Sequence, residues 1–148
     1  MYFEEFDITQ VFETKGRTIS EVDTVLFSTI TGAYNPMFLD EDFAKKTRFG
    51  GRIVSGMLTA SMGIGLTYQL PNRPFDDGFV AMVDLSFTAK RPVKIGDTLK
   101  CKVTVERKEK KSKNGLIFLL IKIMNQKEEN VMDVHQVIMV EKKQAEGQ

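Results

Sequence analysis

Between Phe79 and Val140 the chain alternates apolar and polar residues in stretch after stretch, and period-two alternation is the mark of β-strands with one face on a core. From Phe79 to Ala89 one parity holds Phe79, Ala81, Val83, Leu85, Phe87 and Ala89, while the other carries Asp84, Ser86 and Thr88. Leu99, Cys101, Val103 and Val105 alternate with Lys100, Lys102 and Thr104. Leu116 to Met124 is apolar on both parities, as a central or interface strand would be, and Val131 to Val140 alternates again. Turn residues separate these runs at Ile95-Gly96-Asp97, at Lys113-Asn114-Gly115 and between Asn125 and Asn130. Asn114-Gly115 is expected to supply the positive φ angles of a tight hairpin. Four long antiparallel strands therefore fill the second half of the chain.

The first half is mixed. Ile8 to Thr18 reads as one more strand. Ser20, three residues before Asp23, fits a capped helix start. Val22, Val25, Leu26 and Thr29 then recur at helical spacing, and Gly32 can end the helix. Asp40 opens a second short helix, with Glu41 and Asp42 in its first turn and Lys45 and Lys46 in its last. A longer helix is expected from about Ser55 to Tyr68, with Met57, Leu58, Ser61, Met62 and Gly65 on one stripe and Pro71 and Pro74 beyond it. Gly63 and Gly65 cost about 1 kcal/mol each relative to alanine, which makes sense where the helix lies close against a sheet or another helix. The sum is one α+β domain over residues 1–148, with five to six antiparallel strands wrapped around one long central helix.

Composition narrows the function. With 21 Lys and Arg against 20 Asp and Glu, the charge is +1, without the basic excess of a general nucleic-acid binder. One cysteine and one histidine exclude a disulfide framework and a cysteine-based zinc site within the chain. The N-terminal MYFEEFDITQ lacks the basic and apolar regions of a signal peptide, and the apolar run Leu116–Ile121 is far short of the roughly 20 residues of a membrane span. A cytoplasmic protein with no metal, no nucleic acid and no membrane partner is expected.

The stretch Thr31–Ala60, TGAYNPMFLDEDFAKKTRFGGRIVSGMLTA, resembles the MaoC-like branch of the hot-dog fold, the group of the (R)-specific enoyl-CoA hydratases and related dehydratases. The family pattern is S/T-G-D-x-N-P-x-H-x-D followed by A-x-x-x-x-F-G-x-x-I-x-H-G-M/L. Thr31, Gly32, Asn35, Pro36, Asp40, Ala44, Phe49, Gly50, Ile53, Gly56, Met57 and Leu58 fit it. Phe87, Arg91, Pro92, Val93, Gly96, Asp97 and Thr98 resemble a second family segment. The resemblance implies a hot-dog fold, addition or removal of water at a trans-2-enoyl thioester, coenzyme A only as part of the substrate, and a site at a dimer interface. It implies an oxyanion donor at the backbone N–H of Gly56, and a substrate seat at Asn35, Pro36, Met37, Phe38, Phe49, Gly50 and Met57.

The sequence departs from the pattern where protons move. The family's Asp position is Ala33, its His position is Phe38, and the later His position is Ser55. General acid–base groups typically contribute about 10² to 10⁴-fold, and neither alanine nor phenylalanine transfers a proton. Asp40, Tyr34 and Ser55 are the nearest groups for a rearranged site, although Asp40 is already explained as a helix cap. His135 stands alone in a strand, far from the motif, and Asp84 falls on a strand's polar parity. Met37 and Phe38 are assigned to a pocket and Met62 to the core, while Met57, Met82, Phe49 and Phe75 suit either. Lys45, Lys46, Arg48 and Arg52 form either a phosphate contact or a solvated helix end. Arg107–Lys113 reads as a hairpin tip. Three functions follow: an acyl-CoA binder without ordinary hydratase activity, a hydratase, dehydratase or thioesterase with rearranged residues, or a non-catalytic subunit completing a hot-dog heterodimer. A homodimer or dimer of dimers is the expected assembly.

Overall fold

The computed structural model describes residues 1–144. A one-turn 3₁₀ helix, Phe3–Glu5, precedes strands β1 (Val11–Glu13) and β2 (Arg17–Thr18). Helices α1 (Glu21–Thr31), α2 (Pro36–Leu39), α3 (Glu41–Lys45) and α4 (Gly56–Thr67) follow, then strands β3 (Phe79–Ala89), β4 (Thr98–Lys110), β5 (Asn114–Met124) and β6 (Asn130–Glu141). The sheet is antiparallel throughout, in the order β1-β4-β5-β6-β3, with β2 beside β4. This is the hot-dog arrangement. The last four residues of the expected 1–148 domain lie outside the described residues.

β5 is the central strand, flanked by β4 and β6, with one parity buried and the other mostly half-buried. Ile117, Leu119, Ile121 and Ile123 point inward and are fully buried against Leu58, Met62 and Leu66 of α4. The helix sits close to the sheet at Gly63, where an added Cβ would come within 2.9 Å of Ile123 Cγ1 and closer still to its Cδ1. Cys101 Sγ lies 3.5 Å from Gly63 O in the same contact, and burial pushes its thiol pKa up to about 12.

Local signals account for the helix ends. Ser20 and Asp23 form a reciprocal capping box, with Ser20 N–H donating to Asp23 Oδ2 at 2.8 Å. Gly32 closes α1 at φ +74° and donates to Ser28 O. Asp40 Oδ1 accepts from Phe43 N–H at 2.9 Å and caps α3.

Three expectations need correction, and one element, a short helix after Asn35, was not foreseen. Ile8–Thr18 is not one strand, because Thr14–Gly16 interrupts it between β1 and β2. Asn114-Gly115 does not make the hairpin turn: both residues already belong to β5, and the turn falls at Lys111–Lys113. Gly115 is small because the ring of Phe3 packs on it, within 2.6 Å of where a Cβ would stand. Pro36–Leu39 forms a helix of its own, started by Asn35 Oδ1 accepting from Met37 N–H at 2.9 Å. Finally, the stripe on α1 faces outward. Val22, Leu26 and Ile30 are 62%, 53% and 82% exposed, whereas Thr24 and Ser28 are buried with no partner for either hydroxyl. No helix among the described residues is long and apolar enough to cross a membrane.

Candidate functional site

Helix α4 begins at Gly56 without a side-chain cap. Ser55 occupies the cap position, but its hydroxyl accepts no hydrogen bond from the first turn. Thr59 N–H donates to Ser55 O at 2.9 Å, the first bond of the helix. The amides before it lie at the positive end of the helix dipole, where an anionic oxygen is stabilised. A Cβ at position 56 would meet Phe87 Cε2 at 3.3 Å, so the backbone here is packed tightly against β3.

A cavity of about 270 Å³ opens over this helix start. Phe49, Ile53, Val54, Pro92, Val93 and Met132 give it apolar walls, Gly56 and Thr59 form its helix side, and Arg48, Lys90 and Arg91 stand along its rim. Two connections build it. The strap of residues 49–55 enters α4 and is tied down by Ile53 N–H to Met37 O at 3.1 Å and Val54 N–H to Val93 O at 2.7 Å. The link between β3 and β4 is held by Lys90 N–H and Arg91 N–H, both donating to Val131 O. The rim cations are held loosely, with Lys90 Nζ 3.5 Å from Asp133 and Arg91 Nε 3.4 Å from Glu129, and Arg48 lies over the Phe49 ring at 4.9 Å.

The chemistry of this lining is one-sided. It offers helix amides, apolar walls and three cations, but no carboxylate and no imidazole. Such a set can hold an acyl group and a phosphorylated carrier. It has no group able to shuttle a proton at neutral pH. Among the described residues no cluster of His, Cys, Asp and Glu could hold a metal ion.

Of the residues singled out in the sequence, Arg48, Phe49, Ile53 and Gly56 line the cavity, as do Arg91, Pro92 and Val93 of the second motif segment. Gly50 lines a separate depression with Glu41, Gly51, Arg52, Lys94 and Ile95. Ala33 and Phe38 are half-buried, at the end of α1 and within α2, and neither lines the cavity. Asn35 caps α2, Pro36 is its first residue, and Met37 reaches the strap through its carbonyl. Met57 points outward, and Tyr34 is 67% exposed. Asp40 is occupied as a cap, and Ser55 is buried beside Gly56. His135 lies on the outer sheet face, its Nδ1 3.6 Å from Glu106, and Asp84 is exposed on β3. Met62 and Phe75 are core, Met82 is exposed, and Lys45 and Lys46 are solvated. Arg52 is engaged by two carboxylates. Sequence reasoning gave no role to Lys90, Thr59 or Met132, and placed Arg91, Pro92 and Val93 only by motif. The physical signal for these residues is topological, since the β3–β4 link must cross the end of the curled sheet.

The model of the MaoC like domain matches residues 5–118 of this chain. The chain belongs to the MaoC-like family. It is 30% identical over 146 residues to the Bacillus subtilis protein YdeM, covering 96% of this chain and 100% of that one. It is 38% identical over 104 residues to an (R)-specific enoyl-CoA hydratase of Rhodospirillum rubrum, covering 70% of this chain and 69% of that one. The unliganded R-hydratase PhaJ1 of Pseudomonas aeruginosa superposes with a TM-score of 0.77 at 29% identity, covering 99% of this chain and 93% of that one.

Proposed function

We propose that this MaoC-like chain binds an acyl thioester of coenzyme A, with the acyl group in the cavity beside Gly56 and the thioester oxygen directed at the start of α4. One observation carries the reading: an uncapped helix start opens into an apolar cavity whose rim is cationic and whose lining lacks any acid–base group. The similarity to an (R)-specific enoyl-CoA hydratase supports the thioester class. Arg48, Lys90 and Arg91 suit the phosphates of the carrier. Hydration by the family's usual route is not expected, because Ala33 and Phe38 cannot move protons.

Calorimetric titration with butyryl-CoA tests the binding, and a crotonyl-CoA hydration assay tests the turnover. Saturable binding that weakens in Lys90→Ala with Arg91→Ala, with hydration no faster than background, is the expected result. No binding at millimolar ligand would refute the reading. Hydration that disappears in Asp40→Asn would instead establish a rearranged site.

A second reading concerns assembly. β3 is an edge strand with Val80, Met82 and Val83 about half exposed, and α4 presents Met57 and Tyr68 on its open side. A long apolar edge of this kind is normally covered. It supports pairing with a second hot-dog unit, as a homodimer or dimer of dimers, or as a heterodimer whose other subunit supplies the acid and base. Light scattering of the purified chain, followed by hydratase assays with a co-purified partner, separates these assemblies.

A further inference from the structure

Arg52 lies four residues before Gly56 and joins three separate pieces of chain. Its Nη1 donates to Glu21 Oε1 at 2.7 Å, and its Nε donates to Glu41 Oε2 at 2.8 Å. Glu21 opens α1, Glu41 opens α3, and Arg52 itself sits in the strap whose Ile53 and Val54 wall the cavity. The side chain is 19% exposed, so the fork is partly shielded from water. It does not line the cavity over Gly56, but belongs to the separate depression with Glu41 and Lys94. Lys94 Nζ reinforces the same strap by donating to Phe49 O at 2.8 Å.

The rest of α1 holds on weakly. Its inner face carries Thr24 and Ser28, whose buried hydroxyls have no partner, and the half-buried ring of Phe27, while Val22, Val25, Leu26 and Ile30 face away. Hydrophobic seating of α1 therefore rests mainly on the single ring of Phe27. A planar guanidinium bonded to two carboxylates from two helices is a directional substitute, which an ammonium reproduces only in part.

We infer that Arg52 is a positioning residue: it fixes α1 and α3, and with them the segment between Thr31 and Asp40, against the strap that shapes the acyl cavity. This rests on the acyl-thioester reading for its ligand, but not for its structural content. Residues that hold a site's walls act through the ligand without touching it.

The experiment compares Arg52→Met, Arg52→Lys, the double variant Glu21→Gln with Glu41→Gln, and Arg17→Met. The last is a control that breaks the other α1 ion pair, Arg17 with Asp23 at 2.6 Å, away from the strap. Two readouts are taken: affinity for butyryl-CoA, and amide exchange over residues 21–55 by mass spectrometry. Arg52→Met and the Gln pair should each weaken binding roughly tenfold, with Arg52→Lys intermediate and Arg17→Met unchanged. Exchange should accelerate over 21–55 in Arg52→Met and in the Gln pair, less in Arg52→Lys, and not in Arg17→Met. Loss of affinity in Arg52→Met but not in the Gln pair would overturn the inference, because the guanidinium would then contact the ligand directly. Equal exchange in Arg52→Met and Arg17→Met would overturn it as well. If the unmodified protein binds no butyryl-CoA, the acyl reading falls, and the exchange comparison still decides the role of Arg52.

Discussion

Gly63 and Gly65, two residues apart on α4, should respond to alanine in opposite directions. At Gly63 the new methyl group would meet Ile123, a fully buried residue of the central strand, at 2.9 Å from Cγ1 and less from Cδ1. Overpacking of this kind costs about 1–3 kcal/mol, and the gain in helix propensity offsets about 1 kcal/mol of it. Gly63→Ala is therefore expected to destabilise by about 0–2 kcal/mol. At Gly65 nothing lies within 4 Å of the new atom, so only the propensity gain of about 1 kcal/mol remains. For a domain of this size 1 kcal/mol corresponds to roughly 2–4 °C in Tm. Urea titration of both variants, followed by circular dichroism at dilute concentration, gives the two midpoints. Equal stability of the variants would refute the close seating of α4 on β5. If Gly65→Ala lowers the midpoint, and does so more at high protein concentration, that open side of the helix is an interface in solution.

Ala33→Asp with Phe38→His, at the two positions where the family resemblance places the proton-transfer pair, should create measurable hydration of crotonyl-CoA; no gain, in a variant that still binds butyryl-CoA, argues against a simple loss of the pair at those positions. Hydrogen bonding to Arg52 holds the carboxyls of Glu21 and Glu41 below their ordinary value of 4.5. The stability they contribute is thus present above that value and lost as pH falls through their depressed pKa. The Tm difference between the unmodified protein and Arg52→Met should accordingly be largest near pH 7 and shrink on acidification below about pH 4, as thermal scans across pH would show. Burial raises Cys101 to about 12, so a thiol reagent at pH 8 should label it only as the protein unfolds, and rapid labelling of the native protein would contradict its place under Gly63.

The sheet was legible because β4 and most of β6 bury alternate residues, whereas β3 keeps its expected inner parity only half-buried and leaves Val83 exposed at a register shift. Even β5 could be assigned to the centre from its doubly apolar pattern. Helix α1 shows where such reading stops. The spacing of Val22, Val25 and Leu26 reports a face that needs cover, but does not say what covers it, and within this chain the covered face is Thr24, Phe27 and Ser28. Asn114-Gly115 misled because a glycine required for the Phe3 ring looks the same as one required for a turn. At the site, Gly56 and Phe49 could be found by motif. Lys90 and Met132 could not, because they reach the cavity only through the order of the strands.

That order has an architectural consequence. β3 precedes β4 in sequence yet lies at the far side of the sheet, beyond β6 and β5. The eight-residue link from Lys90 to Asp97 must therefore bridge the open end of the curl, and in doing so becomes a wall of the cavity. Moving the chain ends into this link by circular permutation would leave every strand pairing intact while opening the cavity's wall. Fold and cavity can thus be separated by rewiring a single connection, without changing one side chain.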